Sequence, residues 1–131
     1  MSIRHASCSC GQLSVTCEGE PVRISICHCL ACQRRTGSPF GAQARFPIEQ
    51  IRSVEGRAST YTRVGDSGGV ATFRFCPDCG STVAWELVGA PGFMTVAVGA
   101  FADPGFPPPT RSVYDEHRHP WVTCGSELAR E

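Results

Sequence analysis

Seven of the nine cysteines in this chain fall into three short groups: Cys8-Ser9-Cys10-Gly11, Cys27-His28-Cys29-Leu30-Ala31-Cys32 and Cys76-Pro77-Asp78-Cys79-Gly80. Sulfurs that share an ion must converge in space, so these groups constrain the fold more tightly than any apolar pattern in the chain. Two thiolates at short spacing supply half of a tetrahedral zinc shell, and three within one short segment leave a single position to be filled. Seven divides as four plus three. The arithmetic predicts one closed, structural zinc and one open, reactive zinc.

The other use of dense cysteines is a disulfide framework, which belongs to small secreted domains. The segment Met1 to Cys8 is charged at Arg4 and no apolar run follows it, so no secretory signal is recognisable. The cysteine count is odd. No apolar stretch approaches the roughly 20 residues that cross a bilayer. The expectation is a soluble, cytoplasmic protein with reduced thiols and no membrane partner. A length of 131 residues suits one domain over residues 1–131, with metal offsetting a modest core. Twelve Arg balance twelve Asp plus Glu with no Lys, and nucleic-acid binding needs a basic surplus on one face, so no nucleic-acid partner is expected. Oligomeric state leaves no mark in the sequence.

Fourteen Gly and ten Pro interrupt the chain every few residues, which favours short strands joined by turns. Leu13, Val15 and Cys17 alternate with polar neighbours, as do Phe40, Ala42, Ala44 and Phe46, then Phe73 and Phe75, then Val83, Trp85 and Leu87. Phe93 to Val98 has so few polar residues that it reads as a strand buried on both faces. Two stretches suggest helix: Leu30 to Arg35, stopped by Gly37 and Pro39, and Ile48 to Ile51 after Pro47. Phe106 to Pro109 reads as an extended connector that delivers a last strand around Arg111 to Tyr114.

The third cysteine group has the form of a zinc knuckle between strands, with Gly80 supplying the positive φ of its turn. A redox Cys-x-x-Cys normally opens a helix in a βαβ context, which Pro77 and the β-rich flanks disfavour. Cys8 and Cys10, two apart on a bent strand that Gly11 relaxes, are the natural complement to Cys76 and Cys79. Alone they would read as small residues at a frayed terminus. In the central group Cys27, Cys29 and Cys32 leave a fourth position for water or substrate. His28 should point away from its two cysteine neighbours in an extended segment, so it is expected beside the cluster or at the surface. His117, His119 or Cys124 could instead complete a second structural shell.

The order of these groups, with Gln33-Arg34-Arg35-Thr36-Gly37-Ser38 after the second, resembles the glutathione-dependent formaldehyde-activating enzyme family, which includes centromere protein V. Val98 to Pro104 resembles its glycine-containing turn after a late strand, and Pro120-Trp121-Val122 its carboxy-terminal tryptophan. The resemblance implies a mostly β fold, a small zinc-stapled β-tent-like domain of short antiparallel sheets with little helix. It implies zinc as cofactor, two per chain: a structural ion on Cys8, Cys10, Cys76 and Cys79, and a catalytic ion on Cys27, Cys29 and Cys32. It further implies a carbon–sulfur lyase that adds a small thiol such as glutathione reversibly to formaldehyde, giving S-hydroxymethylglutathione. A non-catalytic zinc-stabilised binding module is the alternative. Arg34 or Arg35 could receive a glutathione carboxylate or balance thiolate charge, and Thr36 to Ser38 could rim the pocket. Asp78, Asp115, Glu116 and His117 are acid–base candidates by chemistry alone, and each reads first as a solvated loop residue. Cys17 reads as a buried strand residue and Cys124 as a free thiol near the tail.

Overall fold

The computed structural model describes residues 2–123 and 128–131. Among them the strands are β1 (Ile3–Ser7), β2 (Ser14–Glu18), β3 (Arg23–Cys27), β4 (Gly41–Pro47), β5 (Ile51–Glu55), β6 (Ser59–Val64), β7 (Val70–Phe75), β8 (Thr82–Leu87), β9 (Phe93–Ala97), β10 (Arg111–Val113) and β11 (Ala129–Arg130), with one α-helix, α1 (Leu30–Thr36). The expected mostly β fold with little helix is what forms. Strands β1, β2 and β5 make a small sheet, and a larger sheet runs in the order β11-β10-β3-β4-β9-β8-β7-β6. From β3 to β6 its pairings are antiparallel, whereas β10 runs parallel to β3 and β11 parallel to β10. The proline connector carries the chain back across the molecule instead of round a hairpin, so the strand it delivers enters in the direction of β3. Among the described residues no helix is long and apolar enough to cross a membrane.

Period-two alternation gives the large sheet two unlike faces. On one, Ile24, Ala44, Phe46, Ala84, Met94 and Val96 pack against Ala6, Val15 and Cys17 of the small sheet, with Leu13, Phe101 and Phe106 in the same core. On the other, the alternate positions of β3 and β4 are Arg23, Ser25 and Cys27, then Gly41, Gln43 and Arg45, with Thr95, Trp85 and Phe73 continuing across the register. Strand β9 is buried on both faces as expected, with Met94 and Val96 in the core and Thr95 on the opposite side.

Helix α1 spans the expected stretch and ends at Gly37, a left-handed C-cap whose N–H donates to the Gln33 carbonyl. The second helical stretch is a single 3-10 turn, Ile48–Gln50. A further 3-10 turn, Val98–Phe101, follows β9, where the glycine-containing turn was expected. The expected last strand ends at Val113, because Tyr114 adopts a left-handed backbone (φ 53°).

Candidate functional site

The turns joining β1 to β2 and β7 to β8 meet over one end of the core. Gly80, at φ 82°, lets the second turn close with its N–H on the Cys76 carbonyl at 2.8 Å. Cys8, Cys10, Cys76 and Cys79 converge so that their sulfurs all lie within 4.8 Å of one another. Cys10 Sγ stands 3.6 Å from Cys8 Sγ and 3.7 Å from Cys76 Sγ. Four ligands at about 2.3 Å from a tetrahedral zinc stand about 3.8 Å apart, so this cluster has the dimensions of a zinc shell. Its sulfurs accept as ligating thiolates do. Leu13 N–H donates to Cys8 Sγ at 3.3 Å, and Cys76 Sγ receives Gln12 Nε2 at 3.0 Å and the N–H groups of Asp78 and Cys79. Hydrogen bonding with the Ser81 hydroxyl, and then from the Ser81 and Cys10 backbone, lowers the Cys79 thiol to about 5, favouring the thiolate that binds metal.

The central group is built by a strand end and a helix start. Cys27 closes β3, Cys29 caps α1 by accepting the Cys32 N–H at 3.2 Å, and Cys32 sits in the first turn. All three are buried, and their sulfurs lie within 4.8 Å of one another. Among the described residues no His, Cys, Asp or Glu joins them as a fourth ligand. They face a cleft of about 480 Å³ on the second face of the large sheet, lined by Arg23, Arg45 and Arg63 and by Phe73 and Trp85 among others. Arg63 lies over the Phe73 ring and directs Nη2 to Cys32 Sγ at 3.8 Å. A hydrogen bond shared with Cys27, then those from Cys29 and Arg63 and the charge of Arg35, hold the Cys32 thiol well below its ordinary range against the opposing effect of burial. The same shared bond, together with burial, raises the Cys27 thiol.

His28 is no ligand, and it is wholly buried, not at the surface. Its Nε2 meets Ser112 Oγ at 2.9 Å, Ser112 donates to Asp115 Oδ1 at 2.8 Å, and Arg130 Nη1 donates to the same carboxylate oxygen at 3.0 Å. Burial lowers the His28 pKa, which keeps the ring neutral. This chain ties the segment between Cys27 and Cys29 to β10 and β11. Ser112→Ala strands a buried imidazole nitrogen and is expected to cost about 1–3 kcal/mol, measurable by urea denaturation.

The remaining candidates separate by position. Asp115 is occupied by Ser112, Arg118 and Arg130, and Asp78 is exposed and paired with Arg57. His117 offers its carbonyl, and His119 its Nε2, to the Gln33 side chain, and neither ring is among the groups that converge with the cysteines. Glu116 lines the cleft. Arg34 is exposed on α1, and Arg35 stacks over Trp85 at 4.5 Å and Phe73 at 5.5 Å. Neither lines the cleft, nor do Thr36 to Ser38; the Thr36 hydroxyl instead donates to the Cys32 carbonyl at the helix end. Cys17 is buried in β2 as expected, and desolvation raises its thiol to about 11. Cys124 lies outside the described residues. Arg23, Arg45, Arg63 and Tyr114 line the cleft without having been singled out in sequence. The signal for the first two was alternation with Ser25-Cys27 and Gln43, legible only once the cleft face is known.

Two convergent cysteine clusters on a mostly β scaffold, one at a strand junction and one in an open cleft, define a protein with two sites able to hold a metal ion and of dimensions compatible with zinc. The family model for the glutathione-dependent formaldehyde-activating enzyme matches residues 3–117, and the chain belongs to that family. A crystal structure of a Rhodobacter sphaeroides protein shares the fold, with a TM-score of 0.59 and 23% identity over 79% of this chain and 91% of the other. No curated protein matches the chain.

Proposed function

We propose that residues 1–131 act as one zinc-binding domain, an enzyme of the carbon–sulfur lyase type that makes or breaks adducts between a small thiol such as glutathione and formaldehyde, in the reducing cytoplasm. The observation that carries this reading is the three-sulfur cluster opening into a cleft with no fourth ligand among the described residues. A second structural shell would close that position with a fourth side chain, and among the described residues none does. In this reading Cys8, Cys10, Cys76 and Cys79 hold a structural zinc, and Cys27, Cys29 and Cys32 a catalytic one.

When bound, a zinc ion on Cys27, Cys29 and Cys32 would favour the thiolate of an incoming thiol or polarise an aldehyde oxygen, without redox change of its own. The chain supplies the surroundings. Arg63 places a positive charge beside Cys32, offsetting the excess negative charge of three thiolates. Phe73 and Trp85, their rings tilted against each other at 5.1 Å, give the cleft an apolar wall. Tyr114 and Ser67 meet at 2.5 Å, where the β6–β7 turn reaches the cleft.

The test is metal content followed by turnover. Protein purified under reducing conditions is expected to carry one zinc per cysteine cluster, and Cys29→Ser to lose one of them while staying folded. Exchange between glutathione plus formaldehyde and the adduct, followed by NMR, is expected to slow at least about a hundredfold in that variant. A single zinc that Cys29→Ser leaves in place would end this reading.

A further inference from the structure

The cleft holds a feature that the two cysteine clusters leave unexplained. Arg23 and Arg45 are register partners across the β3–β4 pair, and both lie on the cleft face. Directly opposed side chains start about 5 Å apart, and like charges so placed destabilise a sheet. Arg45 has no carboxylate partner among the described residues; its one close companion is the Phe93 ring at 5.8 Å. Burial, and then the facing Arg23, lower its pKa, as expected of a cation held where a cation is disfavoured. Among the described residues Arg23 reaches only the Glu131 carboxylate, at 3.5 Å, and that carboxylate is held more closely by Arg111 at 2.6 Å. The other acids lining the cleft, Asp66 and Glu116, make no ion pair with either arginine.

The pair lies at a useful distance from the chemistry. Arg23 and Cys27 are four residues apart on one strand and one face, about 13 Å between Cα atoms, and the arginine side chains can shorten that gap. A ligand whose sulfur sits at Cys27, Cys29 and Cys32 can therefore bring a carboxylate on its far arm to the guanidinium groups. Such an anion would turn the repulsive pair into a two-sided clamp, and guanidinium matches carboxylate geometry. The Glu131 contact shows the same chemistry inside the chain.

We propose that Arg23 and Arg45 form a carboxylate-recognition subsite that selects thiols carrying an anionic arm over neutral thiols of the same length. The subsite rests on the thiol-adduct reading above for its sulfur end but not for its carboxylate end, and the experiment separates the two. Zinc-loaded protein is titrated calorimetrically with glutathione, glutathione diethyl ester, S-methylglutathione and S-methylglutathione diethyl ester. The free acids are expected to bind about 10- to 100-fold more tightly than their esters. Arg45→Gln should erase that preference, Arg45→Lys keep part of it, and Arg34→Gln, outside the cleft, keep it whole. Equal binding of acid and ester by the native chain, or a preference that survives Arg45→Gln, overturns the subsite and leaves the thiol reading standing. If glutathione and S-methylglutathione bind equally, and Arg45→Gln weakens both alike, the subsite holds and the thiol reading fails. If none of the four binds, both fail.

Discussion

Cys76→Ala is expected to leave the chain unfolded at room temperature. Cys76 is fully buried in the main core, and its sulfur gathers Gln12 Nε2 and two backbone N–H groups. If the cluster were only four thiols, truncation would cost the lost hydrogen bonds and a small void, about 1–3 kcal/mol. A structural zinc contributes far more, about 10–16 kcal/mol in zinc-finger peptides, against a total stability of about 5–15 kcal/mol for a typical domain. Losing one of four ligands therefore removes an amount comparable to the whole. The two sizes are easily told apart by circular dichroism and tryptophan fluorescence. A strong chelator applied to the native chain should reproduce the Cys76→Ala spectrum, whereas Cys29→Ser should melt cooperatively. A Cys76→Ala protein that stays folded, with its melting temperature lowered by a few degrees, would show that the cluster is no staple.

The unequal weight of the two clusters follows from what each joins. Cys8 and Cys10 lie far in sequence from Cys76 and Cys79, so an ion there links the small sheet to the large one. Cys27, Cys29 and Cys32 are already positioned by β3, by the capped start of α1 and by the His28–Ser112–Asp115 chain. In the proposed reading, an ion in the first cluster substitutes for tertiary structure, and an ion in the second adds chemistry to structure already present.

This difference also decides what the sequence can reveal. Strands β2, β4, β7, β8 and β9 were legible because each has a buried face, and burial writes apolar residues at every second position. Strand β1 buries only Ala6, and β5 and β6 bury no residue, so their composition follows solvent and carries no period. Cysteine spacing is local chemistry, and the convergence it implied was readable in all three groups. The parallel β3–β10 pairing was not, because pairing direction depends on where the 107–109 connector leads and not on the strand's own residues. Arg34 and Arg35 drew attention by adjacency to the cysteines, yet helix geometry turns them off the cleft. Arg23 and Arg45, distant in sequence, are brought into it by one antiparallel register.

Gly56→Ala is expected to be the most damaging change outside the cysteines, at about 2–5 kcal/mol. Gly56 joins β5 to β6 with φ 95°, and a Cβ there would stand 1.8 Å from the Gln12 carbonyl oxygen and 2.9 Å from its Oε1. The left-handed backbone costs an alanine about 1–2 kcal/mol, and relieving the overlap by moving backbone adds about 1–3 kcal/mol more. Gln12 is the residue that must move. Its side chain accepts the Arg57 N–H at 2.9 Å, donates to the Arg57 carbonyl at 2.7 Å and donates to Cys76 Sγ at 3.0 Å. Displacing it strips a donor from the Cys76 sulfur, so the damage should reach the four-cysteine cluster as well as the turn. Gly68→Ala is the control, because Gly68 has nearly the same φ, 85°, and open space where its Cβ would stand; it should lose only the backbone cost. Urea denaturation gives both values, and zinc release to a colorimetric chelator reports the cluster, with faster release expected from Gly56→Ala alone. Equal losses in the two variants would mean that backbone conformation, and not the close approach to Gln12, demands glycine at position 56.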